Sequence, residues 1–174
     1  VTGKADFTPE EWWLLRETPL RVGAAVMVAA PSGTSGTMHE IVANATALAS
    51  ATRLFPDSEL IKALTAPEEK GQAFEPGPAA EGDANRRTRE QRVKSETLEM
   101  CRRVADLLDR KVTSEQAQEY KRWVMQVGGD VSGAAKEGGL LHIGAKTVSG
   151  PEVKMLTEIA AALRHSPYTP PAEG

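Results

Sequence analysis

A single cysteine, Cys101, stands in a chain of 174 residues. One thiol cannot close an intramolecular disulfide, supply a cysteine-based zinc site or form a redox pair of cysteines. This usage fits a reducing compartment. Aromatic residues make up only 5% of the chain, so aliphatic side chains must fill the core. No run of 18 apolar residues exists, and none is therefore expected to cross a membrane. The longest apolar stretch, 22–30, lies behind an acidic segment and too far inside the chain to read as a signal peptide. These absences make a cytoplasmic protein without a membrane partner the expectation. Charge of one sign is also missing, with 21 basic residues against 24 acidic ones. The small net charge of -3 announces no polyanionic partner.

What is present is mostly helix punctuation. Residues 1–85 carry a net charge of -6 and residues 86–174 a net charge of +3, so the two halves attract each other. Thr8, Pro9 and Glu11 form a capping box with proline at the first helical position. Phe7 and Trp12 have the spacing of a hydrophobic staple. A first helix is expected over 9–18, ended by Pro19. The segment 19–30 is nearly all small aliphatics and fits either a buried helix or a buried strand. Its length and its four alanines favour helix. The stretch 31–36, with two glycines and a proline, reads as a loop.

A further helix is expected over 37–55, with Met38, Ile41, Val42, Ala45, Leu48, Ala49 and Thr52 on one face. A short helix over 59–65 follows a cap at Ser58. Residues 66–85 are rich in proline, glycine and acidic side chains and read as a linker between two halves. Val93, Thr97, Met100, Cys101, Val104, Leu107 and Leu108 give a long helix over 85–110 a single apolar face. Thr113 and Gln116 make a second capping box, opening a helix to about 137 that forms an antiparallel hairpin with its predecessor. Its inward residues are Ala117, Tyr120, Val124, Val127, Val131 and Ala134. Residues 140–148 read as an irregular or β-like excursion. Ser149 and Glu152 make a third capping box before a last helix with Val153, Leu156, Ile159, Ala160 and Leu163 inward. Residues 166–174 read as a disordered tail. The fold class is all-α: one helical bundle of six to seven helices over 1–165.

No catalytic motif emerges. The loop 31–36 precedes a helix, and Ser32, Thr34 and Ser35 there could hold an anion, yet it lacks the spacing of a phosphate loop or a nucleophile elbow. The histidines His39, His142 and His165 are far apart, and His39-Glu40 is followed by Ala43 where a zinc helix needs a second histidine. His142, in a glycine-rich stretch, is the one expected to line a pocket. No metal or cofactor is expected. The basic run of Arg86, Arg87, Arg89, Arg92 and Lys94 scatters around a helical wheel and has no aromatic side chains for base stacking, so nucleic acid is not the expected partner. Trp12-Trp13-Leu14-Leu15 covers more of a helix than one buried stripe. Trp12 is assigned to the staple and Trp13 to an exposed interface.

The segments Phe7 to Trp12, Pro19 to Gly23 and Ala30 to Gly33, with Ala135 to Gly139 and Glu158 to Ala160, resemble an uncharacterised family of small bacterial all-helical proteins. The resemblance implies an all-helical fold and transfers no activity. The chain is also similar in outline to TerB-like helical domains. Those place acidic residues in the loop where this chain has Ala30-Pro31-Ser32-Gly33. A non-enzymatic protein acting through a protein partner or self-association is expected. The alternative is a ligand-binding protein or enzyme with a pocket between loops 32–36 and 139–146.

Overall fold

The computed structural model describes residues 3–30, 37–67, 86–137 and 150–165; the side chains of 37–44, 86, 87, 89 and 133–137 are outside that description. After a short 3-10 helix, Lys4–Asp6, come α1 (Pro9–Ala29), α2 (Thr37–Arg53), α3 (Glu59–Thr65), α4 (Arg86–Lys111), α5 (Ser114–Glu137) and α6 (Gly150–Ala162). The described residues contain no strand. Of the expected linker, 68–85 lies outside them, as do the excursion at 140–148 and the tail at 166–174.

α1 starts as its sequence dictates. Thr8 Oγ1 accepts from the Glu11 amide at 3.2 Å, and Glu11 Oε2 accepts from the Thr8 amide at 2.8 Å. The Phe7 and Trp12 rings lie 5.7 Å apart, which forms the staple. The helix does not end at Thr18, however; it continues through Pro19 to Ala29. A proline inside a helix has no N–H for the carbonyl four residues earlier, here that of Leu15. Tyr120 supplies the missing donor: its hydroxyl donates to the Leu15 carbonyl at 2.7 Å, in the buried interior. One α5 side chain thus repairs the defect that local sequence rules read as a stop. The 19–30 segment is helical, as its alanines and length favour, and it belongs to the same helix.

α1 is apolar around much of its circumference because it is the central helix. α4 and α5 pack chiefly against α1 and touch each other little, so the expected hairpin is split by a third helix. α6 packs on α4, α1 and α5; α2 packs mainly on α5. One cluster of buried side chains draws on all six helices.

The periodicities on α4, α5 and α6 hold at Cys101, Val104, Leu107, Leu108, Tyr120, Val124, Val127, Leu156 and Ile159, all buried, whereas Val93, Met100 and Val153 are only partly buried and the Ala134 side chain is outside the description. On α2 the face is different from the expected one. Ala47 and Ala51 are buried whereas Ala45 and Ala49 are exposed. Alanines fit either side of a helix, so the pattern there is a weak signal. Gly128 explains how α1, α5 and α6 come so close: a β-carbon there would sit 2.9 Å from Leu156 Cδ2 and 3.0 Å from Val22 Cγ1.

Directions follow from the pairings. Arg103 meets Glu10 at 3.1 Å and the Thr97 hydroxyl meets the Arg21 carbonyl at 3.4 Å, so α4 runs against α1. Tyr120 meets Leu15 and Gly128 meets Val22, so α5 runs with α1. Leu156 lies beside Gly128 and Glu152 beside Ser132, so α6 runs against α5. Ala30, Arg86, Glu137 and Gly150 therefore share one end of the bundle. Thr8, Lys111, Ser114 and Leu163 share the other.

Candidate functional site

The residues singled out from sequence fall in different places. Ser32, Thr34, Ser35 and His142 lie outside the described residues, as does the His39 side chain. Ala30, Glu137 and Gly150, which border the stretches holding these residues, belong to one end of the bundle. Trp12 is buried in the core, and Trp13 is partly buried against it rather than exposed. The apolar width of this segment argues for an exposed member only if α1 has a single buried side. Trp12, Leu14 and Leu15 instead find partners on several sides, because α1 is surrounded. Arg92 pairs loosely with Glu96 along its own helix, at 3.8 Å.

Two polar clusters emerge that the sequence does not disclose. The first lies toward the end that carries Ala30 and Gly150. Ser132 Oγ donates to Glu152 Oε1 at 3.0 Å, and both residues are buried. Ser149, the capping partner expected for Glu152, is outside the described residues. The position of Glu152 in the first turn of α6 suits a carboxylate, because the helix dipole is positive there. No apolar periodicity points to a buried serine and glutamate, so only packing identifies them.

The second cluster closes the opposite end. Asp106 and Asp109 stand three apart on α4 and so share a face. Arg164, just past α6, donates from Nη1 to Asp109 Oδ2 at 2.7 Å and from Nη2 to Asp106. These hydrogen bonds push the Arg164 pKa further up, Asp106 contributing most. Arg164 has a φ of 52°, in the left-handed region. The Arg164 amide donates to the Ala161 carbonyl at 3.1 Å and the His165 amide to the Ala160 carbonyl at 2.9 Å. This pair of bonds is a Schellman C-cap, a position usually given to glycine. Lys121 from α5, its side chain only 4% exposed, lies with Nζ 3.9 Å from Asp109 Oδ1. His165 Nδ1 is buried with no hydrogen-bond partner among the described residues. Burial, then the charges of Lys121 and Arg122, hold the imidazole below its ordinary 6.5.

The other reactive groups are quenched by burial. The Cys101 thiol is pushed up to about 12 and stays protonated, so it is a poor nucleophile. Burial likewise keeps the proton on Tyr120, where it serves the Leu15 carbonyl. No three His, Cys, Asp or Glu side chains converge on a possible metal among the described residues. None of the described helices is long and apolar enough to cross a membrane. No protein-family model, curated protein or solved structure matches the chain.

Proposed function

We propose that this protein works by docking, onto a protein partner or a second copy of itself, in the cytoplasm, and not by catalysis. Support comes from the use made of buried polar groups: Thr97 reaches α1 from α4, Tyr120 reaches α1 from α5, Ser132 reaches α6 and Lys121 reaches α4. Each joins one helix to another. The single observation that carries the reading is Leu54. This leucine, in the turn between α2 and α3, is 61% exposed, whereas Trp12, Leu14 and Leu15 are buried. Phe55 next to it is partly buried, with the Arg122 guanidinium 6.0 Å from its ring centre. Phe55 and Arg122, beside the exposed leucine, are of the aromatic and arginine types that interface centres favour. The docking surface expected at Trp12 and Trp13 therefore moves, in this proposal, to the α2–α3 corner.

Sedimentation velocity over a range of concentrations tests it. Leu54→Glu should abolish concentration-dependent association, or the co-sedimentation of a bound protein, at unchanged melting temperature. A parent that stays monomeric, with co-sedimenting protein unaffected by Leu54→Glu, would refute docking at this corner.

A second reading is favoured by one observation. Ala30, Glu137 and Gly150 share an end of the bundle, toward which the buried Ser132–Glu152 pair lies. A small anionic ligand held by Ser32, Thr34, Ser35 and His142 would sit there. Melting curves in inorganic phosphate, for the parent and for Ser35→Ala with His142→Ala, distinguish this reading: it requires a rise that the double variant loses.

A further inference from the structure

The last turn of α6 is tied down by charges, and one titratable ring sits among them. We infer that the end of α6 is a proton-sensitive latch: its last turn stays docked on α4 and α5 while His165 is neutral and lets go when that ring takes up a proton.

The described residues leave no place for the extra proton at Nδ1. A protonated imidazole donates from both nitrogens. Nδ1 is already buried and faces no acceptor among the described residues. The charged groups at this end of the bundle come from three elements, and those of α5 act on the ring itself. From α4 come Asp106 and Asp109, both engaged by Arg164. From α5 come Lys121, which shares Asp109, and Arg122. From the end of α6 comes Arg164 itself. Lys121 and Arg122 are the charges that bear on the ring, so a charged His165 adds a third cation to two, while Asp106 and Asp109 accept from Arg164. The backbone beneath is a C-cap with a non-glycine residue at positive φ, a conformation that persists only while neighbours hold it.

The direction follows by linkage. The docked ring titrates below 6.5, first because of burial and then because of Lys121 and Arg122. The released ring titrates at the ordinary value and so takes its proton first as pH falls. Docking is complete above 6.5, weakens as pH falls from there to the docked value, and is constant below it. Each unit by which the docked ring lies below the free one multiplies the released population by about ten.

The test is amide hydrogen exchange by NMR on the full chain, from about pH 7.5 to about pH 5, corrected for intrinsic exchange rates. The Arg164 and His165 amides report on the cap. Their protection should fall across the window, by up to about tenfold per unit of lowering. His165→Gln should hold protection level across it, while His39→Gln and His142→Gln behave like the parent. The ring of His165, followed in the same samples, should titrate below 6.5. A ring that titrates at or above that value overturns the latch. So does the same fall in protection in His165→Gln. If His165→Gln undocks the turn at every pH, the parent's ring titration decides alone.

Discussion

At the residue scale, Tyr120 is the most consequential single side chain. It fills the hydrogen-bonding gap that Pro19 opens at the Leu15 carbonyl. Removing it should strand a buried acceptor, so Tyr120→Phe should cost about 1–3 kcal/mol in urea denaturation. The cost should shrink in a Pro19→Ala background, where the substituted residue offers its own N–H to the same carbonyl. A double-mutant cycle reads this coupling, and strict additivity would show that the two residues act independently. The two adjacent glycines of α5 make a second contrast. Alanine at 128 meets Val22 Cγ1 at 3.0 Å, on a branched side chain that cannot rotate away freely. Gly128→Ala should therefore destabilise by about 1–3 kcal/mol, with overpacking exceeding the gain in helix propensity. A β-carbon at 129 has nothing among the described residues within 4 Å, so Gly129→Ala should stabilise by about 0.4–1 kcal/mol. Thermal melts of the two variants should shift in opposite directions.

At the element scale, the start of α1 doubles as its attachment to the end of α4. Glu11 accepts from the Thr8 amide and from Lys111 Nζ, the latter at 2.7 Å. Lys111 also donates to the Asp6 carbonyl at 3.0 Å and lies 5.6 Å from the centre of the Phe7 ring. The hydrogen bond from Lys111, then that from the Thr8 backbone, pulls the Glu11 carboxyl below 4.5. A carboxyl lowered by folding contributes stability above its unfolded pKa and loses it as pH falls through the folded value. Glu11→Gln should therefore lower the melting temperature near neutral pH and flatten its decline in acid below about 4.5. A parallel decline in parent and variant would show that Glu11 has no part in it. The bond joins the acidic first half to the basic second half, the attraction that their opposite net charges imply.

At the scale of the whole molecule, the chain is not two halves laid side by side. α1, from the first half, is the helix on which α4 and α5, from the second, both pack. Neither half keeps its principal partner alone. Separate fragments 1–66 and 85–174 should each be poorly helical by circular dichroism, and mixing them should restore helix. Two independently folded fragments would contradict the central position of α1. The affinity of the mixture should respond to Gly128→Ala, whose neighbour Val22 would lie on the other fragment.

Local rules carry a great deal here. The caps at Thr8 and Thr113, the staple of Phe7 on Trp12, the bounds of α3 and the inward faces of α4, α5 and α6 all follow from spacing within a few residues, because backbone donors and apolar stripes must be satisfied locally wherever they can be. The rest depends on atoms distant in the chain. Pro19 reads as a helix stop until Tyr120, 105 residues from Leu15, is brought beside it. Trp13 reads as an exposed side chain until α1 is surrounded, and Ala47 and Ala51 cannot be told from their neighbours until α5 lies against them. The charged cap of Asp106, Asp109, Lys121 and Arg164 exists only where three helix ends meet. Sequence pattern determines which segments become helices, since that is settled within each segment. Which helix lies at the centre, and which polar groups it leaves facing one another, is settled by packing between segments, and only the tertiary structure decides it.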